Sequence, residues 1–411
     1  MIGYVACLEF QSTGVQGIVA AAAERDLVTV VLTAEPENPR LQRQIDDLPM
    51  ELRTWIRVQR CIYNDITSIM AVVKRLQEDA PVFGLFSPED DSVEVASEIA
   101  ATLGLPTSPT KSYNFCRNKE RLRGACQAIG LSSLRYGAVT DIRSLKDVAE
   151  VIGYPLISKP SRGSGSESIN AIWNKEQLVE VAPSLLAGCA RYGGTLLLEQ
   201  YLLGPLFSAE CVTFNGCTSI IGITDRRLSN VPDFNEVNET YPFDLSPEIG
   251  SQVAALVAGV HQVAGFSHGP SHLEFILTKD GPELVELNPR LGGALIGHAM
   301  SYVHRCNMFD LYISSAIGTV PQVIPESRGF VSQTALFAPR AGRIAAVRNL
   351  NLLPSLRGFV RYESVRKIGD EVGTVRDASG WIGHVLCHGE TCCLATRYAD
   401  AAENLVVVEM E

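Results

Sequence analysis

Apolar positions set the first elements of the chain. Ile2 to Leu8 is a short apolar run, and Val28 to Leu32 and Val82 to Phe86 are β-rich runs. Between the first two, Ser12-Thr13-Gly14-Val15-Gln16-Gly17 can turn and cap a helix over Ile18–Glu24, and a helix is predicted from about Ser92 to Leu103. Strands that alternate with helices imply a parallel sheet with helices on its faces. Asn118 to Ile129 reads as a helix rich in Lys and Arg. Tyr154–Lys159 and Ser168–Trp173 read as strands around a glycine loop, and a helix follows near Glu176–Leu186. Leu196–Glu199 opens a β-rich stretch to about Arg226, and a helix spans roughly Pro247–Ala264. Ser271–Thr278 and Glu283–Asn288 flank Lys279-Asp280-Gly281-Pro282, where the Asp-Gly pair gives the clearest hairpin signal in the chain. A helix is expected from about Ala294. After Pro321 and Pro325 the runs become short and β-like, and Trp381 to Met410 reads strand, turn, helix, strand.

The chain has 411 residues, which implies roughly two to four domains or subdomains. The boundaries expected are 1–110 for an N-terminal α/β domain, 111–200 for a linker helix and lid subdomain, and 201–411 for a C-terminal domain with a terminal subdomain from about 325. The net charge of -11 argues against a nucleic-acid partner. No apolar run is long enough to cross a bilayer, and the start lacks a positive segment with a cleavable apolar stretch. The 11 cysteines contain no CxxC pair, so a reduced, cytoplasmic compartment with small core cysteines is expected.

Three segments carry chemistry. In Lys159-Pro160-Ser161-Arg162-Gly163-Ser164-Gly165-Ser166 an apolar strand ends in a lysine and opens into a loop of Gly and Ser. Glycines let backbone N–H groups approach an anion, and the lysine adds a full charge. The lysine precedes the glycines, so this is not a GxxxxGK[ST] loop.

The second segment is the hairpin. Alternation places Val285 and Leu287 toward a core and Glu286 and Asn288 away from it, with His272 and Glu274 on the matching face of the partner strand. Two carboxylates and a carboxamide on one face are hard oxygen ligands suited to Mg²⁺. Arg290 follows directly, where it could stabilise charge on a transferring phosphoryl group. Gly292-Gly293 is expected to open a helix whose N-terminus attracts anions.

The third is Leu196 to Gly204, an apolar strand ending in Glu199. Gln11 to Gly17 lacks the G-x-G-x-x-G spacing and reads as a tight turn. His268 and His272 have metal-ligand spacing for a helix but fall in loop and strand, and the His384, Cys387, His388, Cys392, Cys393 group lacks the paired spacing of a zinc site.

Taken in order, Lys159 to Ser166, Glu199 to Gly204, and Glu274 with Glu286-x-Asn288-Pro289-Arg290 resemble the ATP-grasp superfamily. The wording His268-Gly269-Pro270-Ser271-His272-Leu273-Glu274 with Leu287-Asn288-Pro289-Arg290-Leu291-Gly292-Gly293 resembles its carboxylate–amine ligase branch, which includes L-amino-acid (dipeptide) ligases. The resemblance implies an α/β fold, α+β in its C-terminal half: an N-terminal parallel sheet, a small lid and a C-terminal antiparallel sheet. It implies ATP and Mg²⁺, for which Mn²⁺ can stand in, and small-molecule carboxylate and amine substrates joined through an acyl phosphate; it allows a homodimer. Lys119 and Lys159 would contact phosphates and Ser161 to Ser166 would close over them, with Arg290 and Lys159 as the catalytic pair. Glu199, Tyr201 and Leu202 would hold adenine, and Glu210 would lie on the ribose side, where Leu206 replaces the acidic residue many members carry. Glu274, Glu286 and Asn288 would bind Mg²⁺. His272, Arg226, Gly292, Gly293 and Ala294 would stand near substrate, and Gly297 and His298 beside them in an acceptor pocket.

Among rivals, a biotin-dependent carboxylase would share the nucleotide site, yet the chain has no Met-Lys-Met-like biotinylation site. A D-alanine–D-alanine-type ligase ends its metal motif differently. A non-catalytic binder should have lost some of the phosphate and metal ligands.

Overall fold

The computed structural model describes residues 2–10, 13–163, 168–190, 194–230, 234–321, 327–373 and 380–411. Strands Ile56–Arg60, Leu27–Thr33, Gly3–Leu8 and Val82–Phe86 lie side by side in that order as a parallel sheet. The central strand is buried along its whole length, as a strand covered on both faces must be. Ile56–Arg60, half exposed, forms the edge; its charged residues hide it from a hydrophobicity scan, as they do the polar helix Pro39–Asp46.

A second sheet runs 136–139, 196–200, 156–160, 170–172, antiparallel throughout. Helices Ile142–Ile152 and Lys175–Ala190 pack on one side, with Leu145, Leu178, Leu185 and Leu198 in their shared core. The third sheet has eight antiparallel strands in the order 281–288, 269–278, 206–214, 217–228, 236–241, 330–337, 381–389, 359–364. Helix Pro247–Ala264 covers one face of its first strands through Val253, Leu256, Val257 and Val260. That helix begins where the Ser246 side chain accepts the Ile249 N–H and ends at Gly265 in a left-handed conformation. A small sheet of 371–372, 342–348 and 407–410 closes the C-terminal end, beside helix Cys392–Leu405.

The fold expected from the sequence is present: a parallel N-terminal sheet and a large antiparallel sheet in the C-terminal half. All eleven cysteines are free, and seven of them are buried. No described helix is long and apolar enough to cross a membrane.

Candidate active site

The hairpin forms the rigid wall of the site. Thr278 pairs with Gly281 across a two-residue turn, and the register sets Glu274 opposite Glu286 and His272 opposite Asn288. Strict alternation fails once: the register shifts between Glu274 and Phe275, so Leu284 and Leu287, rather than Val285 and Leu287, enter the core. This bulge leaves Glu274, Glu286 and Asn288 on the open face.

Lys119 faces them from another element. It is the first residue of helix Lys119–Ala128, whose start is fixed by the Asn118 side chain accepting the Arg121 N–H. Its Nζ lies 2.8 Å from Glu286 Oε2 and donates to the Gly163 carbonyl at 3.0 Å. Asn288 Nδ2 donates to Glu286 Oε1 at 2.8 Å, which turns the amide oxygen of Asn288 away as a free acceptor. Two carboxylates and that amide oxygen make a hard, all-oxygen donor set that fits Mg²⁺ with phosphate ligands completing the shell.

Lys159 is deeply buried. Its Nζ sits 2.7 Å from Glu199 Oε2, and Arg123 Nε donates to Glu199 Oε1 at 2.9 Å. Burial lowers the Lys159 pKa against the pull of Glu199. Burial would raise the Glu199 carboxyl, but Arg123 and Lys159 outweigh it and hold it at about 2. Arg123, 1% exposed, also donates to the Leu284 carbonyl and, at 3.0 Å, to the Val285 carbonyl. One guanidinium thus joins the 119–128 helix, the 196–200 strand and the bulge of the hairpin.

Several expectations are corrected here. Glu199 does not present a free carboxylate to adenine, because both its oxygens face cations. Tyr201 donates its own N–H to the Pro155 carbonyl at 3.3 Å, so of the pair only Leu202 could offer a backbone N–H to a base. Glu210 cannot reach a ribose: it is 0% exposed and accepts from Ser208, Thr224 and His272 at 2.8, 2.9 and 2.9 Å. It is a floor group beneath His272. Burial would lower the His272 pKa, but the Glu210 carboxylate reverses this and raises it to about 9. Arg226, expected near substrate, lies within strand Cys217–Leu228, and its guanidinium is ringed by Glu236, Glu239, Glu274 and His272. Gly292 and Gly293 do not open a helix; the next one is Ile296–His304, with Leu295 as its cap. Gly292 instead lets His272 approach, since a Cβ there would stand 2.9 Å from its Nδ1. Gly297 packs under Phe309, and His298 meets the same ring edge-on. Ser161 donates its backbone N–H to the Thr195 carbonyl at 2.9 Å, and Ser164, Gly165 and Ser166 lie outside the described residues.

Arg290 is held from the N-terminal sheet. Its Nε donates to Asp90 Oδ1 at 2.9 Å, and Nη2 reaches Oδ2 of the same carboxylate. Burial would lower the Arg290 pKa, but Asp90 keeps the guanidinium charged. Sequence reasoning passed over both Asp90 and Arg123. Asp90 sits just past the carboxyl end of strand Val82–Phe86, where open parallel sheets place ligand contacts. Arg123 follows Lys119 by four residues, on the same helical face. The His384 to Cys393 group shows no metal arrangement; among the described residues no group of three or more His, Cys, Asp and Glu side chains could hold an ion unaided.

Comparison with known proteins matches residues 152–298 to the family described as ATP-grasp domain and 334–411 to L-amino acid ligase C-terminal domain 2. The first match contains Lys159, Glu199, Glu274, Glu286, Asn288 and Arg290, but not Lys119 or Asp90. An uncharacterised protein, y4rH, of Sinorhizobium fredii is 24% identical over 333 residues, covering 80% of this chain and 69% of that one. Carnosine synthase 1 of Gallus gallus is 24% identical over 294 residues, 67% of this chain; the chain spans about a third, 32%, of that relative's length. The crystal structure of an L-amino acid ligase from Bacillus licheniformis superposes with a TM-score of 0.82 at 19% identity, covering 100% of this chain and 99% of that one.

Proposed function

We propose, for a chain that belongs to the ATP-grasp superfamily on its carboxylate–amine ligase branch, that it joins a carboxylate to an amine at the expense of ATP through an acyl phosphate, with amino acids or close analogues as substrates. The observation that carries this is Lys119: one ammonium touches both the Gly163 carbonyl of the glycine loop and the Glu286 carboxylate of the hairpin. The glycine loop and the hairpin thereby meet at a single point, which supports reading them as the phosphate-binding and metal-binding halves of one site.

A carboxylate does not acylate an amine at neutral pH without activation. Attack of the carboxylate on the γ-phosphate gives an acyl phosphate and ADP; the amine then displaces phosphate. Such chemistry needs positioning and charge neutralisation more than a covalent nucleophile. Mg²⁺ held by Glu274, Glu286 and the amide oxygen of Asn288 would neutralise phosphate charge. Lys119 and Lys159 bind phosphate oxygens. Arg290, immobilised by Asp90, faces the transferring group with a fixed charge. We place the reaction in the cytoplasm, with small molecules as the partners.

The test is a phosphate-release screen with ATP, Mg²⁺ and pairs of amino acids, followed by mass spectrometry. A dipeptide mass supports the reading, and Glu286→Ala should then lower turnover by more than about 100-fold. Phosphate release from a single non-amino-acid carboxylate points to another ligase type. ATP binding without turnover overturns the enzymatic reading.

A further inference from the structure

A cavity of about 790 Å³ lies between the parallel sheet and the far half of the eight-stranded sheet. It adjoins the site on two sides. Ala294, four residues past Arg290, lines it, and so does Glu89, the neighbour of Asp90. The volume suits a small-molecule ligand with room for a long side chain.

The lining is unevenly charged. Glu9, Glu35, Glu89 and Asp370 contribute carboxylates, while Asp91 is already paired with Arg117 at 2.9 Å. Against them stand Arg40 and Arg366, both directed to backbone carbonyls, of Val365 at 3.2 Å and Glu371 at 3.4 Å. Glu9 accepts from Thr33 and Glu35 from Asn38, neutral donors in both cases. The Glu89 carboxylate has no hydrogen-bond partner among the described residues. Burial pushes it up to about 8 against the pull of Arg290, so a further cation entering the cavity would favour its ionised form.

The inner end narrows to a recess lined by Glu239, Gln333, Trp381, His384 and Ala294, the last three of which also line the cavity. Glu239 is 4% exposed; one of its oxygens accepts from Arg226 Nε at 3.3 Å, and Oε2 has no donor among the described residues, with the Glu236 carboxyl group beside it. Trp381 Nε1 is a buried donor without a partner among the described residues. Buried polar groups are normally satisfied, so an unfilled acceptor and an unfilled donor at one recess point to a ligand that supplies both. The ammonium and carboxylate of an amino acid do so. Arg226 links Glu239 to Glu274, which puts this end of the cavity beside the metal carboxylates.

We propose that this cavity receives the amine substrate, with its amino group toward Glu239, and that the substrate is an amino acid whose side chain carries a second positive charge. The proposal rests on the ligase reading above. In the reaction the neutral amine nitrogen forms the C–N bond, the acyl C–O bond breaks with its electron pair going to phosphate, and the proton lost by the nitrogen is taken up by the departing phosphate.

Titration calorimetry of L-arginine, L-leucine and L-glutamate into the full chain, with and without ATP and Mg²⁺, tests it. L-arginine should bind at least about tenfold more tightly than L-leucine, and L-glutamate most weakly. Glu89→Gln should weaken L-arginine about tenfold and leave L-leucine within about twofold. Glu35→Gln, at the exposed rim and outside any core, should weaken L-arginine by about threefold. Equal affinity for the three amino acids, or no binding at all, overturns the proposal. So does L-arginine binding that neither variant changes. The ligase reading fails on a different result: no phosphate release with any amino-acid pair although L-arginine binds.

Discussion

Arg123 is a side chain on which three elements depend, because its guanidinium donates to Glu199, Leu284 and Val285 at once. A buried ion pair often adds little net stability, but removing one partner leaves an uncompensated charge. Arg123→Met should therefore lower unfolding stability by about 3–5 kcal/mol, read from urea denaturation. Glu199 adds a pH signature. In the fold its carboxyl sits at about 2, below its ordinary 4.5, so its contribution is complete above the ordinary value and is lost as the pH falls through about 2. Stability of the wild type should decline across that acid window, and Glu199→Gln should show a shallower decline in the same titration. An unchanged slope would mean that other carboxylates dominate. Lys159 and Glu286 were legible in the sequence because charge at the end of an apolar strand, or alternating with apolar residues along one, is a local pattern. Arg123 and Asp90 were harder to see, since their partners lie 76 and 200 residues away.

At the scale of elements, the Asp-Gly turn and the apolar alternation made the hairpin readable, including Glu274 opposite Glu286. The bulge was not, because no residue between Glu283 and Asn288 marks it; the shift is imposed by packing Leu284 and Leu287 against helix Pro247–Ala264. The glycines expected to form a turn after the first strand had a second meaning that sequence could not supply, and Gly17 lies within helix Val15–Ala23. Gly17 lies against Phe309, where a Cβ would come within 2.2 Å of the ring, and Gly14 and Gly297 meet the same side chain. Phe309 is 3% exposed in the core that joins helix Val15–Ala23 to helix Ile296–His304. Gly17→Ala should overpack this contact and lower stability by about 1–3 kcal/mol, measured as a lower melting temperature. The loss should be largely relieved by Phe309→Leu in the same chain, since the smaller side chain returns the space. A Gly17→Ala variant as stable as the wild type would show that the ring moves freely and that the two helices are not locked there.

For the whole molecule, the N-terminal sheet contributes to the site and is not a mere appendage. Asp90 crosses 200 positions of sequence to hold Arg290 by two hydrogen bonds, one of them 2.9 Å long. The eight-stranded sheet carries Glu274 and Glu286, proposed to hold the metal, the second sheet carries Lys159, and the parallel sheet fixes the direction of Arg290. Asp90→Asn keeps the shape and one acceptor but removes the charge that orients Arg290. The ATP contacts proposed for Lys119 and Lys159 do not pass through Asp90, so nucleotide affinity should stay within about threefold of the wild type. Turnover should fall by about 10- to 100-fold, the usual loss when a supporting group behind a charged ligand is removed. A split between kcat and ATP affinity, obtained from steady-state phosphate release and equilibrium nucleotide binding, distinguishes this from general damage. Damage to the fold would weaken both together, and an unchanged kcat would mean that Arg290 holds its position without the N-terminal sheet. Asp90→Glu, with the charge restored on a longer arm, should recover part of the lost rate only if the guanidinium is being aimed, because a purely structural ion pair has no reason to return activity in proportion to charge.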